Sequence, residues 1–374
     1  MSVQEHPHVP PSTGKLQTIQ YLRAVAALMV AYLHMLEQVP ADYVQLLFPA
    51  FLRSDRLSSG VDIFFTISGF IMVMSSLRST PAEFAMRRIF RIVPLYWILT
   101  IAMATAIFLH PALFPHTRVD VPSLVKSLLF IPYQNPNFDG GRVPILFPGW
   151  TLNFEMYFYA IFALVLFFPV SWRVSVNALV FSLLIAVRCL LSPEGAAEFY
   201  TRPQILEFLV GMLIAVAYMK GRIHVSGIRA GILLLCGFGV LLVNWTVPAS
   251  LHPLQQDSVP VSLVAAGIVV VGMLSLKPLA GRLGSLLELL GNASYSIYLS
   301  HIFFLGAVRA AWRPLLHGSV GVTVPLVFAA ISMAMVVLGG ILIYKRLELP
   351  LLTVMQTWYR SRSALPSAGR QMST

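Results

Sequence analysis

Apolar runs long enough to cross a lipid bilayer recur along almost the whole chain, and they limit its fold more than any other feature. Inside a bilayer the backbone N–H and C=O groups have no water to bind, so runs of this length form helices. The sequence therefore predicts an all-α fold, a polytopic transmembrane helix bundle of about ten spans. We place these spans at residues 16–36, 61–77, 92–110, 149–168, 172–191, 203–219, 228–246, 259–276, 292–312 and 320–344.

The composition excludes an ordinary soluble protein. Mean hydropathy is +0.77, and only 11% of the residues are charged, against roughly 25% in soluble domains. The two cysteines, Cys189 and Cys236, lie in separate apolar runs and predict neither a disulfide framework nor a metal site. The first apolar run is long and contains Arg23, so we interpret it as a retained span and not as a signal peptide.

The distribution of basic residues predicts the orientation. When the N-terminus is placed in the cytoplasm, most of the 26 Lys and Arg residues fall in cytoplasmic segments, in agreement with the positive-inside rule. Both termini are then cytoplasmic. We divide the chain into an N-terminal tail (1–15), a transmembrane domain (16–350) and a C-terminal tail (351–374) that is disordered after Trp358. Because this topology explains the net charge of +11, the predicted partner is the lipid bilayer and not nucleic acid.

One face of the first span carries two ionisable residues, Arg23 and His34, with only apolar or aromatic residues between them. Eleven positions along an α-helix rotate almost back to the starting direction and rise about 16 Å, so the two side chains share a face. Ionisable groups at this depth cost a few kcal/mol or more and usually serve a function. The alternative is that Arg23 reaches the inner surface and His34 the outer headgroups.

Further ionisable residues fall within the other predicted spans. Asp62 opens the second span, Glu155 and Glu207 lie near the outer ends of the fourth and sixth, and His301 lies near the middle of the ninth. They could share a cavity with His34, where a carboxylate would fix the tautomer of a general base. Simpler interpretations exist: Asp62 and Glu155 could be interfacial or cap a helix, Glu207 could pair with Arg202, and His301 could serve only in packing or hydrogen bonding.

The cytoplasmic side has its own cluster, Arg87, Arg88 and Arg91, directly before the third predicted span. Residues at i and i+3 share a helix face, so Arg88 and Arg91 could bind phosphate oxygens together. Arg23 reaches toward the same half of the membrane. The cluster could also be an ordinary consequence of the positive-inside rule.

The long outer loop 111–148 is rich in proline, glycine, asparagine and aromatic residues. Such a segment can cover a site or line a polar groove, and it can equally be a passive connection. The sequence leaves both interpretations open.

These features together suit one kind of substrate. Phosphate-binding arginines on the cytoplasmic side, with an acid–base site above them, match a long donor that has phosphates at one end and a thioester at the other. Acyl-coenzyme A has this shape. Two other classes stay open: a transporter or flippase for a lipid-linked glycan that uses the buried charges as a proton relay, and a non-catalytic scaffold for polysaccharide export. We find no inverted repeat of the kind many transporters have.

Seven motifs occur in family order: QYLRAVAALMVAYLH, SSGVDIFFTISGFIM, RRIFRIVPLYW, GWTLNFEMYFY, LEFLVGMLIA, GNASYSIYLSH and LELP. In these motifs, which run from Gln20 to Pro350, the chain resembles the acyltransferase-3 family of integral-membrane O-acyltransferases, and most closely its exopolysaccharide O-acetyltransferase branch. Two departures are apparent. The extra hydrolase-like domain that many glycan-modifying members carry has no counterpart here, and GWTLNFE stands where many members have a Ser-Val-Glu run, which leaves Asn153 and Phe154 uninterpreted.

The resemblance implies an O-acyltransferase of the bacterial inner membrane. It would take an acetyl group from cytoplasmic acetyl-CoA, without a metal, and pass it to a hydroxyl of a cell-surface or exopolysaccharide sugar at the outer side. The acceptor would be a polysaccharide or a lipid-linked oligosaccharide, and other polysaccharide-biosynthesis proteins are candidate partners. From the residues and the resemblance together we predict catalytic roles for His34, Asp62, Glu155, Tyr298 and His301, and donor binding by Arg23, Arg88 and Arg91.

Overall fold

The computed structural model describes residues 13–49, 55–77, 79–114, 117–138, 141–223, 225–242, 259–312 and 321–363. Within these ranges every regular element is a helix, as the sequence predicts. The outer parts of the two predicted tails, residues 1–12 and 364–374, lie outside the described residues.

Each predicted span coincides with one helix. These helices are α1 (Thr13–Leu36), α3 (Gly60–Ser76), α4 (Pro81–Leu109), α6 (Trp150–Val165), α7 (Val170–Leu191), α9 (Ile205–Met219), α10 (Gly227–Leu242), α11 (Val259–Ser275), α13 (Ser294–Trp312) and α14 (Thr323–Ile343). Shorter helices lie between them or after them: α2 (Ala41–Leu47), α5 (Val121–Leu128), α8 (Gly195–Tyr200), α12 (Gly281–Asn292) and α15 (Leu349–Ser363).

Six helical segments of the described ranges are long and apolar enough to cross a membrane: α1, α3 together with the turn before it from Leu57, α4, α7, α8 together with α9, and α14 continued through a π-helical segment to Ser361. Helices α6, α10 and α11 have only 16 or 17 residues. The chain is therefore a helical membrane protein. The number of ten spans and the cytoplasmic position of both termini stay predictions.

Helix α4 begins at Pro81 and not near residue 92, where the apolar run starts. The Thr80 side chain accepts a hydrogen bond from the Glu83 backbone N–H, and the Glu83 side chain accepts one from the Thr80 N–H. This capping box, with proline at the first helical position, fixes the start of the helix. As a result, Arg88 and Arg91 lie within a formed helix.

Helix α1 lies in the middle of the bundle and packs against α3, α12 and α13. One side of it, with Ile19, Leu22 and Val30, belongs to the apolar core that includes α3. The other side, with small residues such as Ala27 and Ala31, packs into a second core with α13 and α14. Since both sides are buried, α1 is a structural centre and not a peripheral anchor.

Helices α3 and α9 approach each other closely because glycine occupies both sides of their contact. A methyl group on Gly69 would overlap the carbonyl oxygen of Phe208, and one on Gly211 would overlap the carbonyl oxygen of Thr66. Small residues at such positions allow two helix backbones to meet in a membrane bundle. This contact fixes the position of α3 along its axis relative to α9, and α3 carries Ser68 and Ser75.

The last two helices form one continuous helix, because a π-helical segment, Tyr344–Glu348, joins α14 to α15 without a break. A π segment accommodates extra residues per turn and changes which side chains face inward. Glu348 is buried, and the Tyr359 ring contacts the Phe90 ring of α4 at 6.1 Å. The region predicted as a C-terminal tail from residue 351 is therefore helical up to Ser363.

The long loop between α4 and α6 is tied to itself and to α4. Asn137 accepts a hydrogen bond from the Arg118 N–H and donates one to the Arg118 carbonyl oxygen, both at 2.9 Å. The Asn135 side chain donates to the carbonyl oxygen of Val143 (3.1 Å). Tyr96 of α4 donates to the Ser127 carbonyl oxygen at 2.9 Å. These contacts favour a folded cover over a passive connection.

Candidate active site

Two cavities lie near opposite ends of α1. The first, which we call the arginine cavity, has a volume of about 510 Å³ and is lined by Arg23, Arg87, Arg88 and Arg91. Its other polar lining residues include Ser68, Ser75, Thr151, Glu155, Tyr159 and Tyr298. Because its lining holds four arginines and a single carboxylate, this cavity suits an anionic ligand.

Arg88 is held in a defined position within the arginine cavity. Its Nη2 donates to the Ser75 hydroxyl at 2.5 Å, and the guanidinium carbon lies 5.2 Å from the Phe84 ring centre and 5.3 Å from that of Tyr159. Arg88 Nε is buried, with no hydrogen-bond partner among the described residues. A planar guanidinium with a spare donor, held in place by aromatic rings, has the geometry that binding of an anionic group such as phosphate requires.

Glu155 belongs to the arginine cavity. Its carboxylate accepts hydrogen bonds from the hydroxyls of Ser68 (2.8 Å) and Tyr159. The prediction that Glu155 could orient His34 is not supported by these contacts, since the carboxylate is bonded to groups from α3 and α6 around Arg88. The sequence places Glu155 near the outer end of its span, but it does not show which neighbouring helix the side chain faces.

Arg91 forms an ion pair with Glu348, whose other carboxylate oxygen accepts a hydrogen bond from Ser296 at 2.5 Å. The Tyr295 ring lies 5.5 Å from the Arg91 guanidinium carbon. Sequence analysis missed the role of Glu348, although the residue is part of the LELP motif. The available signal was a carboxylate directly after a long apolar run, opposite a cluster of arginines.

The second cavity, which we call the histidine cavity, has a volume of about 450 Å³ and is lined by His34 and Glu37 from the end of α1. Its wall includes Met103 and Ile107 of α4 and Ile302 of α13, and its cover comes from the long loop through Asn135, Asn137, Phe138 and Phe147. Polar groups beside aromatic rings in a concave site suit a small polar ligand such as a sugar.

His34 and His301 lie side by side, with ring centres 5.0 Å apart. The Nδ1 atom of His34 is 3.1 Å from the Val30 carbonyl oxygen, and that of His301 is 2.5 Å from the Tyr298 carbonyl oxygen. A neutral ring that donates from Nδ1 keeps its lone pair on Nε2. Backbone carbonyls can therefore set the tautomer of His34, without the carboxylate that sequence analysis proposed for this purpose.

Tyr298 and His301 connect residues of the two cavities through ring contacts. The Tyr298 hydroxyl is 3.0 Å from the Thr151 hydroxyl and donates to the Pro148 carbonyl oxygen at 3.2 Å, and Tyr298 lines the arginine cavity. The Tyr298 ring contacts the His301 ring at 6.1 Å, and His301 in turn contacts His34 of the histidine cavity. A chain of contacting residues that carry exchangeable protons thus connects the lining of one cavity to that of the other.

Two further ionisable residues singled out in the sequence are not part of either cavity lining. Asp62 occupies the first turn of α3 and lines neither cavity. Glu207 is fully buried in α9 and also lines neither. The arginine suggested as the partner of Glu207, Arg202, pairs with Glu198. A catalytic role for Asp62 stays a prediction that these positions do not favour.

Among the described residues, no group of three or more His, Cys, Asp or Glu side chains is arranged to hold a metal ion.

Comparison with known proteins identifies the family. The family model described as an acyltransferase domain, that of the acyltransferase-3 family, matches residues 16–345. This protein belongs to the acyltransferase-3 family. The matched range contains all of the predicted site residues and the whole lining of the histidine cavity, and it ends before Leu352 and Gln356 of the arginine cavity.

Two relatives agree with this assignment. The exopolysaccharide production protein ExoZ of Rhizobium meliloti (strain 1021) is 39% identical over 300 residues, which is 79% of this chain and 89% of the relative. The acyltransferase MdmB of Streptomyces mycarofaciens is 26% identical over 326 residues, or 79% of this chain and 81% of the relative. No solved structure matches this member of the acyltransferase-3 family.

This acyltransferase-3 protein is consequently an acyl-transferring membrane enzyme, as predicted from the sequence. Neither relative is named as a transporter or a scaffold, and these alternatives have no support from the comparisons.

Proposed function

We propose that this enzyme transfers an acetyl or other short acyl group from cytoplasmic acyl-CoA to a hydroxyl of a cell-surface or exopolysaccharide sugar at the outer side of the bacterial inner membrane. The observation that carries the proposal is the placement of the two cavities. Arg23 and His34 share one face of α1, about 16 Å apart, and each lines a different cavity. A donor and an acceptor could therefore enter from opposite ends and meet near Tyr298.

The arginine cavity would hold the donor. Arg88, fixed by Ser75 and by two aromatic rings, would bind phosphate oxygens, with Arg23 adding charge deeper in the cavity. Arg91 is largely neutralised by Glu348, so its contribution would be to shape this site. The lining extends along α3 from Val61 to Ser75, a distance of about 21 Å, which gives room for a thin arm that carries a thioester toward Tyr298.

His34 would act as the general base in the histidine cavity. Its Nε2 would take the proton from a sugar hydroxyl while the hydroxyl oxygen attacks the thioester carbonyl carbon. The new C–O bond forms, the C–S bond breaks, and the proton passes from His34 to the departing thiolate. His301, which contacts His34, and the Tyr298 hydroxyl lie where they could assist this proton transfer. A positioned base is typically worth about 10²–10⁴ in rate.

Radiolabelled acetyl-CoA offered to inverted membrane vesicles tests both halves of the proposal. With the wild-type enzyme we expect label in a carbohydrate fraction, because the cytoplasmic face is then accessible to the donor. His34→Ala should lower transfer about 10²–10⁴-fold while the protein still inserts. His110→Ala is the matched control, since His110 is an exposed residue at the end of α4.

Donor binding is tested separately with purified protein. Arg88→Ala should weaken binding of acetyl-CoA, whereas Arg229→Ala, which changes an exposed arginine at the start of α10, should not. Unchanged affinity in Arg88→Ala would remove this residue from the donor site. Full transfer activity in His34→Ala would refute the general-base assignment, and absence of label transfer from acetyl-CoA by the wild-type enzyme would refute the choice of donor.

A further inference from the structure

Helix α15 forms one side of the entrance to the arginine cavity. Leu352 and Gln356, one helical turn apart on α15, line this cavity together with Arg87 and Arg88 of α4. Arg87 and Gln356 are exposed, whereas Thr151 and Tyr298 at the other end of the cavity are buried. The entrance therefore lies between the first turns of α4 and the C-terminal helix of the chain.

The position of α15 is fixed at both of its ends. At its start, Glu348 of the π-helical segment binds Arg91. Near its end, the Tyr359 ring packs against Phe90. Leu352 and Gln356 lie between these two contacts, so they are held toward α4 and do not belong to a freely moving tail.

The three kinds of side chain at this entrance match the parts of a nucleotide. Guanidinium groups bind phosphates, a glutamine amide can donate to and accept from the edge of an adenine, and a leucine side chain can cover the face of a base. Farther into the cavity the lining changes to Ile67, Phe64 and Tyr298, which suits an uncharged arm. The bulky anionic end of a ligand would therefore stay at the entrance.

We propose that Leu352 and Gln356 of α15 form the binding site for the adenosine 3′-phosphate end of the acyl-CoA donor, opposite Arg87 and Arg88. This rests on the proposed function for the choice of donor, and adds a recognition element from a segment that the sequence predicts to be a tail. The amide of Gln356 binds the adenine edge, and Arg87 is the arginine closest to solvent for the 3′-phosphate.

Two donors of different length test the proposal in the purified full-length enzyme. Acetyl-CoA contains the adenosine 3′-phosphate, whereas acetyl-4′-phosphopantetheine carries the same arm and thioester without it. Gln356→Ala should weaken binding of acetyl-CoA roughly 3- to 10-fold, the range expected for one lost hydrogen bond, and leave binding of acetyl-4′-phosphopantetheine unchanged. Gln356→Glu should weaken the binding of acetyl-CoA further, because a carboxylate repels the nearby phosphates. Thr357→Ala, at an exposed neighbouring position, is the control.

The outcomes separate this inference from the proposed function. If the wild-type enzyme binds acetyl-CoA and Gln356→Ala and Gln356→Glu bind it equally well, α15 is not a nucleotide site although the donor is correct. If both donors lose affinity by the same factor, Gln356 acts on the shape of the cavity and the nucleotide assignment is wrong. If the wild-type enzyme binds neither donor, the proposed function itself fails, and this inference fails with it.

Discussion

Arg91 and Glu348 lie 257 residues apart in the sequence, and their side chains form an ion pair at the arginine cavity. The Glu348 side chain is 1% exposed and that of Arg91 is 26% exposed. A buried carboxylate remains charged only when partners bind it, and Arg91 and Ser296 serve this purpose here. The pair joins α4, α13 and the π-helical segment at the level where the donor would enter.

The substitution Glu348→Gln should destabilise the fold where α4, α13 and the π-helical segment meet. The amide keeps the volume and can still bond to Ser296, but it removes the charge that holds Arg91. We expect a loss of about 1–3 kcal/mol in the free energy of unfolding, below the cost of breaking a fully buried pair because Arg91 is partly solvated. Thermal unfolding in detergent measures the loss, and the KM for acetyl-CoA should rise more than kcat falls.

The control for this prediction is Glu288→Gln on α12. Glu288 accepts a hydrogen bond from Gln17 at 3.4 Å, so the control removes one carboxylate charge near the start of α1 without touching Arg91. If both variants have the same KM for acetyl-CoA as the wild type, Glu348 does not position the donor site.

Glu198 holds the cover of the histidine cavity. Its carboxylate pairs with Arg142 of the long loop, with Arg188 of α7 at 3.3 Å and with Arg202 at 2.9 Å. In Glu198→Gln the three guanidiniums lose their common anion, so we expect faster tryptic cleavage after Arg142 and a higher KM for the acceptor. Acetyl-CoA affinity should not change, because this contact lies at the other end of the bundle from Arg88.

Glu194→Gln is the matched control, since Glu194 is exposed and precedes the same short helix. Equal tryptic cleavage rates in Glu198→Gln and the wild type would show that the loop is held by its internal Asn135 and Asn137 contacts alone. Exposed or partly exposed ion pairs each contribute only about 0.2–1 kcal/mol, so this effect should be local and global stability should change little.

The positions of the helices could be predicted from the sequence because an apolar run of bilayer length can pair its backbone N–H and C=O groups only by forming a helix. The start of α4 was placed too late, because a capping box is polar and lies outside the apolar run. The faces of Arg23 and His34 follow from helical geometry, and each residue indeed lines a cavity. Periodicity within one helix is a local property, and it was sufficient to place these two side chains on one face of α1.

Contacts between distant helices could not be predicted in the same way. The pairing of Glu348 with Arg91, and the placement of Glu155 beside Tyr159 instead of His34, depend on how whole helices rotate against each other. A single sequence carries no direct signal for that rotation. The same limit applies to α15, whose polar sequence resembles a tail until its contacts with α4 are known.

His301 should affect catalysis without being the base itself. Its ring contacts that of His34, and its Nε2 is buried with no hydrogen-bond partner among the described residues. His301→Phe keeps a ring against His34 but removes both nitrogens, so we expect kcat to fall on the order of 10²-fold, the lower end for a group that assists proton transfer. Steady-state transfer assays measure this, and wild-type kcat in the phenylalanine variant would show that His301 only packs.

We expect a single added methyl group to destabilise the fold most at the contact between α3 and α9. Gly211→Ala would place Cβ against the Thr66 carbonyl oxygen, which is backbone and cannot rotate away. Overpacking of this kind costs about 1–3 kcal/mol, and thermal unfolding in detergent should show it as a lower midpoint. Gly306→Ala on α13 is the control, because a Cβ there meets open space and alanine favours helix by up to about 1 kcal/mol. If the two alanine variants unfold at the same temperature, α3 and α9 do not depend on glycine for their close approach. The position of Ser68 and Ser75 beside the donor site must then be fixed by other contacts.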